Sequence, residues 1–256
     1  MENLLGKIGI KSIDKDFAEI FRNKMNAEFA LSTSEYFDDI SWQKKLNKAK
    51  FKDRIKVVHL PFFGLNLGSK EIMIRKISRD IIKKGIDFSL NLNVNKGVLH
   101  TGYVPLIPKI SIPRWLDKFY FELENLLNYS SKNNFTILLE NTYEKDIDLF
   151  KLILNKFNDD NLKMCLDIAH VNCFSNQNYE TWFRAFQTKI VHFHLSDNNG
   201  KDDEHLALGK GNIDYSLLPF NNQNLTFTFE TKSETWKDSI EFLAKKNLSF
   251  FNTYKP

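Results

Sequence analysis

Cysteine is nearly absent from the chain: Cys165 and Cys173 are the only two in 256 residues. No disulfide framework can brace such a fold, and a reducing compartment is expected. Glycine (10) and proline (6) are also sparse while phenylalanine reaches 23, a skew that, with the many Asn, Lys and Ile residues, reflects AT-rich coding rather than function. No linker, repeat or low-complexity segment interrupts the sequence. No apolar run approaches the length of a membrane-spanning helix, and the start, MENLLGKIGIKSIDKD, lacks the apolar core of a secretory signal. A cytosolic protein with no membrane partner is the expectation.

An excess of one charge sign is missing too. Lys and Arg total 36 against 32 Asp and Glu, a net charge of +4, and the two signs alternate along segments such as DKDFAEIFRNK. That pattern reads as a solvated helix face. It lacks the basic stripe of a dedicated nucleic-acid binder. An anionic substrate is permitted by this charge and not required by it.

What is present is an alternation of short apolar runs with longer stretches of helical period, the pattern of βα units. Eight strands are expected: Lys7 to Ile10, Glu28 to Ser32, Lys56 to Leu60, Gly97 to His100, Thr136 to Glu140, Lys163 to Asp167, Lys189 to Leu195 and Leu225 to Glu230. Between them, a helix is predicted after Ser111, with Pro113 in its first turn and a stripe of Trp115, Leu116, Phe119, Tyr120, Leu123, Leu126 and Leu127. Another follows Ser69 and carries Ile74, Ile77 and Ile81, and a last one runs from about Glu234 to Lys246. The stretches after strands two and seven have the weakest helical signal.

The same list of elements would build either an open doubly wound sheet or a closed (β/α)8 TIM barrel. Polar residues decide between them. His59, His100, Glu140, Asp167, His194 and Glu230 each stand at or near the end of a different strand. In a barrel all six point to one mouth at the C-terminal ends of the strands. In an open sheet the edges could not converge. A single α/β barrel domain spanning 1–256 is therefore expected.

Three further residues join the set. His170 follows Asp167 by three positions in CLDIAHVN, and Asp203 and His205 are two apart in DDEH, so an extended segment aims both the same way. Alone, each has an ordinary explanation: a carboxylate at a strand end often caps the next helix, and a buried histidine is commonly a hydrogen-bonded core residue. His192 is read in that second way, as barrel packing beneath His194. Asp197 and Asn198 are read as residues that orient the loop and its ligands. Five of the six histidines at one mouth, mixed with carboxylates and no thiolate, suit zinc, manganese or iron. Nine candidates are too many for one ion.

The pieces VVHLPFF, VLHTG, LLENT, CLDIAHVN, HLSDNNGKDDEHLALGKGNID and FTFET, in this order, resemble the xylose isomerase-like TIM-barrel superfamily of sugar (and sugar-phosphate) isomerases and epimerases and endonuclease IV. The resemblance runs from about Lys56 to Glu230 and is weak before Lys56. It implies that Glu140, Asp167, His194 and Glu230 hold one divalent metal, zinc or manganese, with Glu140 and Glu230 as the catalytic acid and base. It further implies that His59, His100, His170, Asp203 and His205 match the additional ligands with which endonuclease IV holds three zinc ions. The expected ion count is thus one to three.

Two functions follow from that resemblance. The first is a metal-dependent isomerase or epimerase of a small sugar or sugar phosphate. The alternative is an endonuclease IV-like zinc phosphodiesterase, and only there would nucleic acid be a partner. A non-catalytic metal-binding barrel is a third and weaker reading. Ligand count favours the nuclease, but the loops do not. KIGIKSIDKD lacks the His-containing Gly-Gly loop of endonuclease IV, STSEYFDD after strand two is acidic where the nuclease is basic, and YEKDIDLFKLI replaces a Gly-rich insertion. Phe62 and Phe63 stand where DNA-penetrating side chains sit, yet also suit pocket lining. Lys210, in a Gly-Lys-Gly turn, would meet a phosphate or serve only as an exposed loop lysine. The isomerase or epimerase reading is preferred.

Overall fold

Apolar, β-branched runs become strands where one face meets helices and the other a barrel interior, since neither face then has room for a solvated side chain. The computed structural model describes residues 8–12, 25–31, 51–220, 222, 224–232 and 235–246. Its parallel strands are β1 (Ile8–Ser12), β2 (Asn26–Ala30), β3 (Ile55–His59), β4 (Lys96–His100), β5 (Thr136–Glu140), β6 (Leu162–Asp167), β7 (Ile190–Leu195) and β8 (Thr226–Phe229). They pair in sequence order and close into a barrel through β1 and β8. Every expected strand is present, with its ends shifted by two residues at most. The acidic segment after β2 and the loop after β1 lie outside the described residues.

Outside the barrel lie α1 (Ile72–Asn91), α2 (Ile112–Lys132), α3 (Asp148–Lys156), α4 (Ile168–Phe174), α5 (Tyr179–Phe186) and α6 (Trp236–Lys245). None of the described helices is long and apolar enough to cross a membrane. Aromatic rings fill the layer between helices and sheet: Phe150 meets Trp182 edge-on at 5.5 Å, and Phe193 stacks on Phe227 at 5.3 Å. The abundance of phenylalanine is used here. α2 begins after Ser111 and buries Trp115, Leu116, Phe119, Leu123, Leu126 and Leu127, as its spacing predicts.

α1 departs from expectation. Ile74 and Ile77 are exposed, and the face turned inward is Ser78, Ile82, Gly85, Ile86, Phe88 and Ser89. Small residues explain the choice. A Cβ on Gly85 would lie 2.8 Å from the Pro61 ring, so the helix approaches β3 more closely than an isoleucine face would allow. The helix does follow Ser69, whose Oγ accepts from Glu71 N, and its first residue is Ile72.

Within the barrel the period of two sorts residues into layers. His59, His100, Glu140, Asp167 and His194 form the upper layer. Two residues below them stand Val57, Val98, Leu138, Cys165 and His192, all buried. The first four make an apolar plug. On the side of β7 and β8 the plug turns polar, with His192, Thr228 and Glu28. Register delivers neighbours together, since His100 pairs with Glu140 and Asp167 with His194.

Among the described residues, no helix joins β7 to β8. The long connection instead folds back on an antiparallel bridge between Asp197 and Leu206. Buried Asp197 organises it, accepting from the backbone N–H of Asn198 (2.9 Å), Ile213 (3.2 Å) and Gly209 (2.8 Å). A Cβ on Gly211 would fall 2.3 Å from its Oδ1, so only glycine lets the chain pass. Asn198 ties the loop to α4 through Asn172 and the Ala169 carbonyl. Both residues thus hold the loop, as the sequence suggested. Replacing Asp197 with Ala orphans two buried donors and one part-buried donor and should lower the unfolding free energy by about 3 kcal/mol, read from urea titration. A loss below about 1 kcal/mol would show that other contacts hold the loop.

Candidate metal centre

Each upper-layer residue is the last or next-to-last of its strand, and Glu230 follows β8 directly. Their side chains therefore leave the ladder where the barrel opens. Around His194 Nδ1 stand three carboxylate oxygens: Glu140 Oε1 at 2.8 Å, Glu230 Oε2 at 2.9 Å and Asp167 Oδ2 at 3.8 Å. One ring nitrogen carries at most one proton. It can serve one of the three, and Glu230 Oε2 and Asp167 Oδ2 are indeed buried with no hydrogen bond. The ligand atoms of these four residues all lie within 4.8 Å of one another. A divalent cation would satisfy them together, which a proton cannot.

The other oxygen of Glu140 faces a second cluster. Its Oε2 is 3.2 Å from His59 Nε2 and 2.9 Å from His100 Nε2, and the two imidazole nitrogens are 3.1 Å apart. His59 Nδ1 points to the Leu60 carbonyl at 3.1 Å. A carbonyl only accepts, so the proton sits on Nδ1 and Nε2 presents a lone pair. His170 and His205 repeat the arrangement, with Nδ1 donating to the carbonyls of Asn141 (2.9 Å) and Glu230 (2.6 Å). Their Nε2 atoms meet Asp203 Oδ2 at 3.3 and 2.9 Å, and Asp203 Oδ1 is buried without a partner. His205 holds a left-handed backbone (φ 51°), a strained conformation that aims its ring at Asp203. All nine residues expected from the sequence therefore reach one mouth, in three linked groups.

Two residues in the centre were not anticipated. Lys11, from β1, ion-pairs through Nζ with Glu230 Oε1, leaving Oε2 to the centre. Glu28, from β2, is 1% exposed and lies 3.0 Å from the Nε2 of both His192 and His194. The signal for Glu28 was a lone carboxylate in a run, Met25 to Leu31, buried at every position. Cys165, His192 and His194 also approach one another closely. Burial pushes the Cys165 thiol far up, so without a cation it stays protonated.

Electrostatics follow from this crowding. Burial works against the Glu140 charge, but His194 and His100 outweigh it and hold the carboxyl well below its usual range. Burial similarly opposes the Glu230 charge and is outweighed by Lys11 and His194. Asp167 is different: burial pushes it up to about 6, with the charges of Glu230 and Glu140 adding to the effect against His170. Burial drives His100 down to about 4, so it is a neutral imidazole near pH 7. Burial would lower His205 too, yet Asp203 and Glu230 raise it to about 9. His170 is raised well above its ordinary value by Asp167 and Asp203 in spite of burial.

A cation entering here must displace imidazolium protons. At pH 7 Asp167 (about 6) is mostly ionised already, whereas His194, which the neighbouring carboxylates raise well above the ordinary imidazole value in spite of burial, still holds its proton. Zinc binding at pH 7 should therefore release about one proton or more. Apparent affinity should rise as the pH increases through and above 6, as Asp167 and then His194 give up their protons. Calorimetry in two buffers of different ionisation enthalpy measures the release, and its absence would contradict the ligand assignment.

Beside the ligands opens a cleft of about 410 Å³, lined in part by Phe62, Phe63, Tyr103, Tyr143, His100 and His170, with no Lys or Arg in its wall among the described residues. Phe62 packs on the rings of His59 and His100 at 5.0 and 4.3 Å. Lys210 is exposed. Buried Glu144 braces the wall, accepting from the Thr101 hydroxyl and the Thr142 N–H at 2.6 Å each.

Known proteins resemble the chain over most of its length. A protein of Methanocaldococcus jannaschii, "Uncharacterized protein MJ1614", is 34% identical over 163 residues, 62% of each chain, so the match spans less than two thirds of that relative. A solved structure described as a D-tagatose 3-epimerase-like protein superposes with a TM-score of 0.82 at 25% identity, over 96% of this chain and 98% of the other. The TTHB071 protein from Thermus thermophilus, soaked with ZnCl2, gives 0.81 at 21% identity, over 98% and 100%. The family model for the xylose isomerase-like TIM barrel matches residues 9–246, and to that family the chain belongs.

Proposed function

We propose that the protein is a metal-dependent isomerase or epimerase of a small sugar or sugar phosphate, with Glu140 and Glu230 exchanging the proton. The carrying observation is the convergence of these two carboxylates on one ring nitrogen, at 2.8 and 2.9 Å, beside a small aromatic-walled cleft. Glu140, Asp167, His194 and Glu230 would hold the cation, zinc or manganese by the character of the donors. When bound, such an ion supplies Lewis-acid chemistry, polarising a carbonyl and its neighbouring hydroxyl so that the C–H between them becomes acidic.

The chain's own residues do the rest. One glutamate removes the proton and the other returns it, as general base and general acid. They stand on β5 and after β8, with β6 and β7 between, so they approach a substrate from different sides. The Lys11 ammonium fixes Glu230 by Oε1 and keeps its Oε2 turned to the centre. Phe62, Phe63, Tyr103 and Tyr143 give apolar faces for the C–H side of a sugar and keep water from the reacting carbon. The likeness to a D-tagatose 3-epimerase-like protein supports a ketose substrate.

A second reading has its own support. Three imidazoles held by backbone carbonyls, with Nε2 turned to carboxylates, complete the ligand set of a phosphodiester hydrolase with two or three ions. Against it, the described cleft wall has no Lys or Arg to grip a phosphate backbone.

The deciding experiment incubates zinc- or manganese-loaded protein with a panel of ketoses and their phosphates in heavy water. NMR should reveal deuterium at the carbon beside the carbonyl, and Glu140→Gln or Glu230→Gln should cut that exchange by about 10²-fold or more. The double change His59→Ala with His100→Ala should leave part of it. No exchange with any ketose, together with cleavage of abasic-site DNA that the double change abolishes, would establish the hydrolase instead.

A further inference from the structure

Beneath His194 lies a polar chain that the ligand set does not use. Glu28 reaches across the barrel from β2, and its two oxygens lie 3.0 Å from His194 Nε2, while Oε2 also lies 3.0 Å from His192 Nε2. On its far side, His192 Nδ1 lies 2.7 Å from the Thr226 hydroxyl. Glu28, His192 and His194 are each 1% exposed or less, so water does not complete these contacts.

The donors and acceptors can be assigned from chemistry. An ionised carboxylate only accepts, so both imidazoles must give it an Nε2–H. His192 Nδ1 is then an acceptor facing the Thr226 hydroxyl at 2.7 Å, a hydroxyl that also reaches the Val191 carbonyl at 3.3 Å, and the Thr228 hydroxyl lies 3.1 Å from His192 Nε2. The polarity at the carboxylate is therefore fixed: His192 gives to Glu28, and so does His194. With its proton committed to Nε2, a neutral His194 turns a bare Nδ1 lone pair toward Glu140, Asp167 and Glu230.

We infer that Glu28, braced by His192, is the positioning residue that makes His194 a metal ligand through Nδ1. His59, His170 and His205 are oriented by backbone carbonyls and offer Nε2 instead. His194 alone among these four is oriented by a side chain, so its ligand character can be removed without disturbing the backbone. The inference rests on the metal-centre reading above. It assigns to Glu28 and His192 control of affinity at the Glu140–Asp167–His194–Glu230 group, and none over the His59–His100 group.

Glu28→Gln keeps the shape and removes the charge. Its amide oxygen can accept from one imidazole, but its NH2 faces the other Nε2–H, so one ring must change tautomer or turn. Zinc affinity, measured by competition with a chromophoric chelator, should fall roughly 10- to 100-fold for one metal equivalent and stay unchanged for any other. The cobalt-substituted protein should change its visible spectrum, a readout that mere loosening of the fold would not produce in one site alone. Equal affinity and an unaltered cobalt spectrum would overturn the inference.

If Glu28→Gln does not fold, the wild-type protein answers by itself. Loaded with the magnetic cadmium isotope and labelled in its histidine nitrogens, it should show metal coupling to Nδ1 of His194 and a proton on its Nε2. Coupling to Nε2 would refute the assignment. Failure of the wild-type chain to bind zinc, manganese, cobalt or cadmium would refute the metal centre itself, a result separate from loss of the Glu28 effect.

Discussion

Like charges packed together without water dominate this molecule. Glu28, Glu140 and Asp167 are each 1% exposed or less, and Glu230 joins them at the same mouth. Moving a carboxylate out of water costs on the order of several kcal/mol even after the protein relaxes. Surface ion pairs elsewhere cannot offset it: Arg184 and Glu180, 2.6 Å apart in solvent, contribute about 0.5 kcal/mol. The charges must be neutralised where they are. Lys11 and the imidazoles do part of this, and two buried carboxylate oxygens of the His194 group still lack a partner. A centre that holds such strain within a closed barrel is suited to a divalent cation.

The scaffold can carry that strain because it is supported from below and outside. Val57, Val98, Leu138 and Cys165 form a dry plug one layer under the ligands, so the strand ends cannot sink inward. Outside, fully buried Phe119, Phe150, Trp182 and Phe193 press helices on strands. Truncating one such ring would cost about 3–5 kcal/mol, a large share of the stability of any domain. Between α1 and α2, Arg79 donates to Glu122 at 2.7 Å, and Glu122 is nearly buried, so that pair fixes spacing more than an exposed one would. The loops are tied by acceptors rather than by packing, Asp197 for the β7–β8 connection and Glu144 between the β4 and β5 loops.

How much of this was legible in the sequence depended on what surrounds each residue. His59, His100, Glu140, Asp167 and His194 close apolar runs, and that position alone announces a barrel mouth. Glu28 and Lys11 lie where the resemblance to known motifs is weak, and neither ends a run in a recognisable signature. Reading Glu28 required knowing that no residue from Met25 to Leu31 faces solvent, which is a tertiary fact. The inward face of α1 was misread for a physical reason. Hydrophobic periodicity scores the isoleucines, while close packing at Pro61 favours Ser78, Gly85 and Ser89, which carry little apolar signal. The β7–β8 connection offered no helical stripe because it is organised by backbone hydrogen bonds to one aspartate.

Glu140 links the two chemistries open to this family member. Its Oε1 belongs to the group around His194, and its Oε2 to the pair His59 and His100. A carboxylate with one oxygen committed retains the other as a proton acceptor, and an acid-base role is open to it. A carboxylate committed through both has no free lone pair aimed at a substrate, and the work of proton transfer must then move elsewhere. Occupancy of the His59–His100 group therefore decides what Glu140 can do. His100 is held as a neutral imidazole and packed edge-on against His59, with Phe62 over both rings. That apolar cover lies over the two imidazoles that face Glu140 Oε2, so the state of those imidazoles sets what this oxygen can accept.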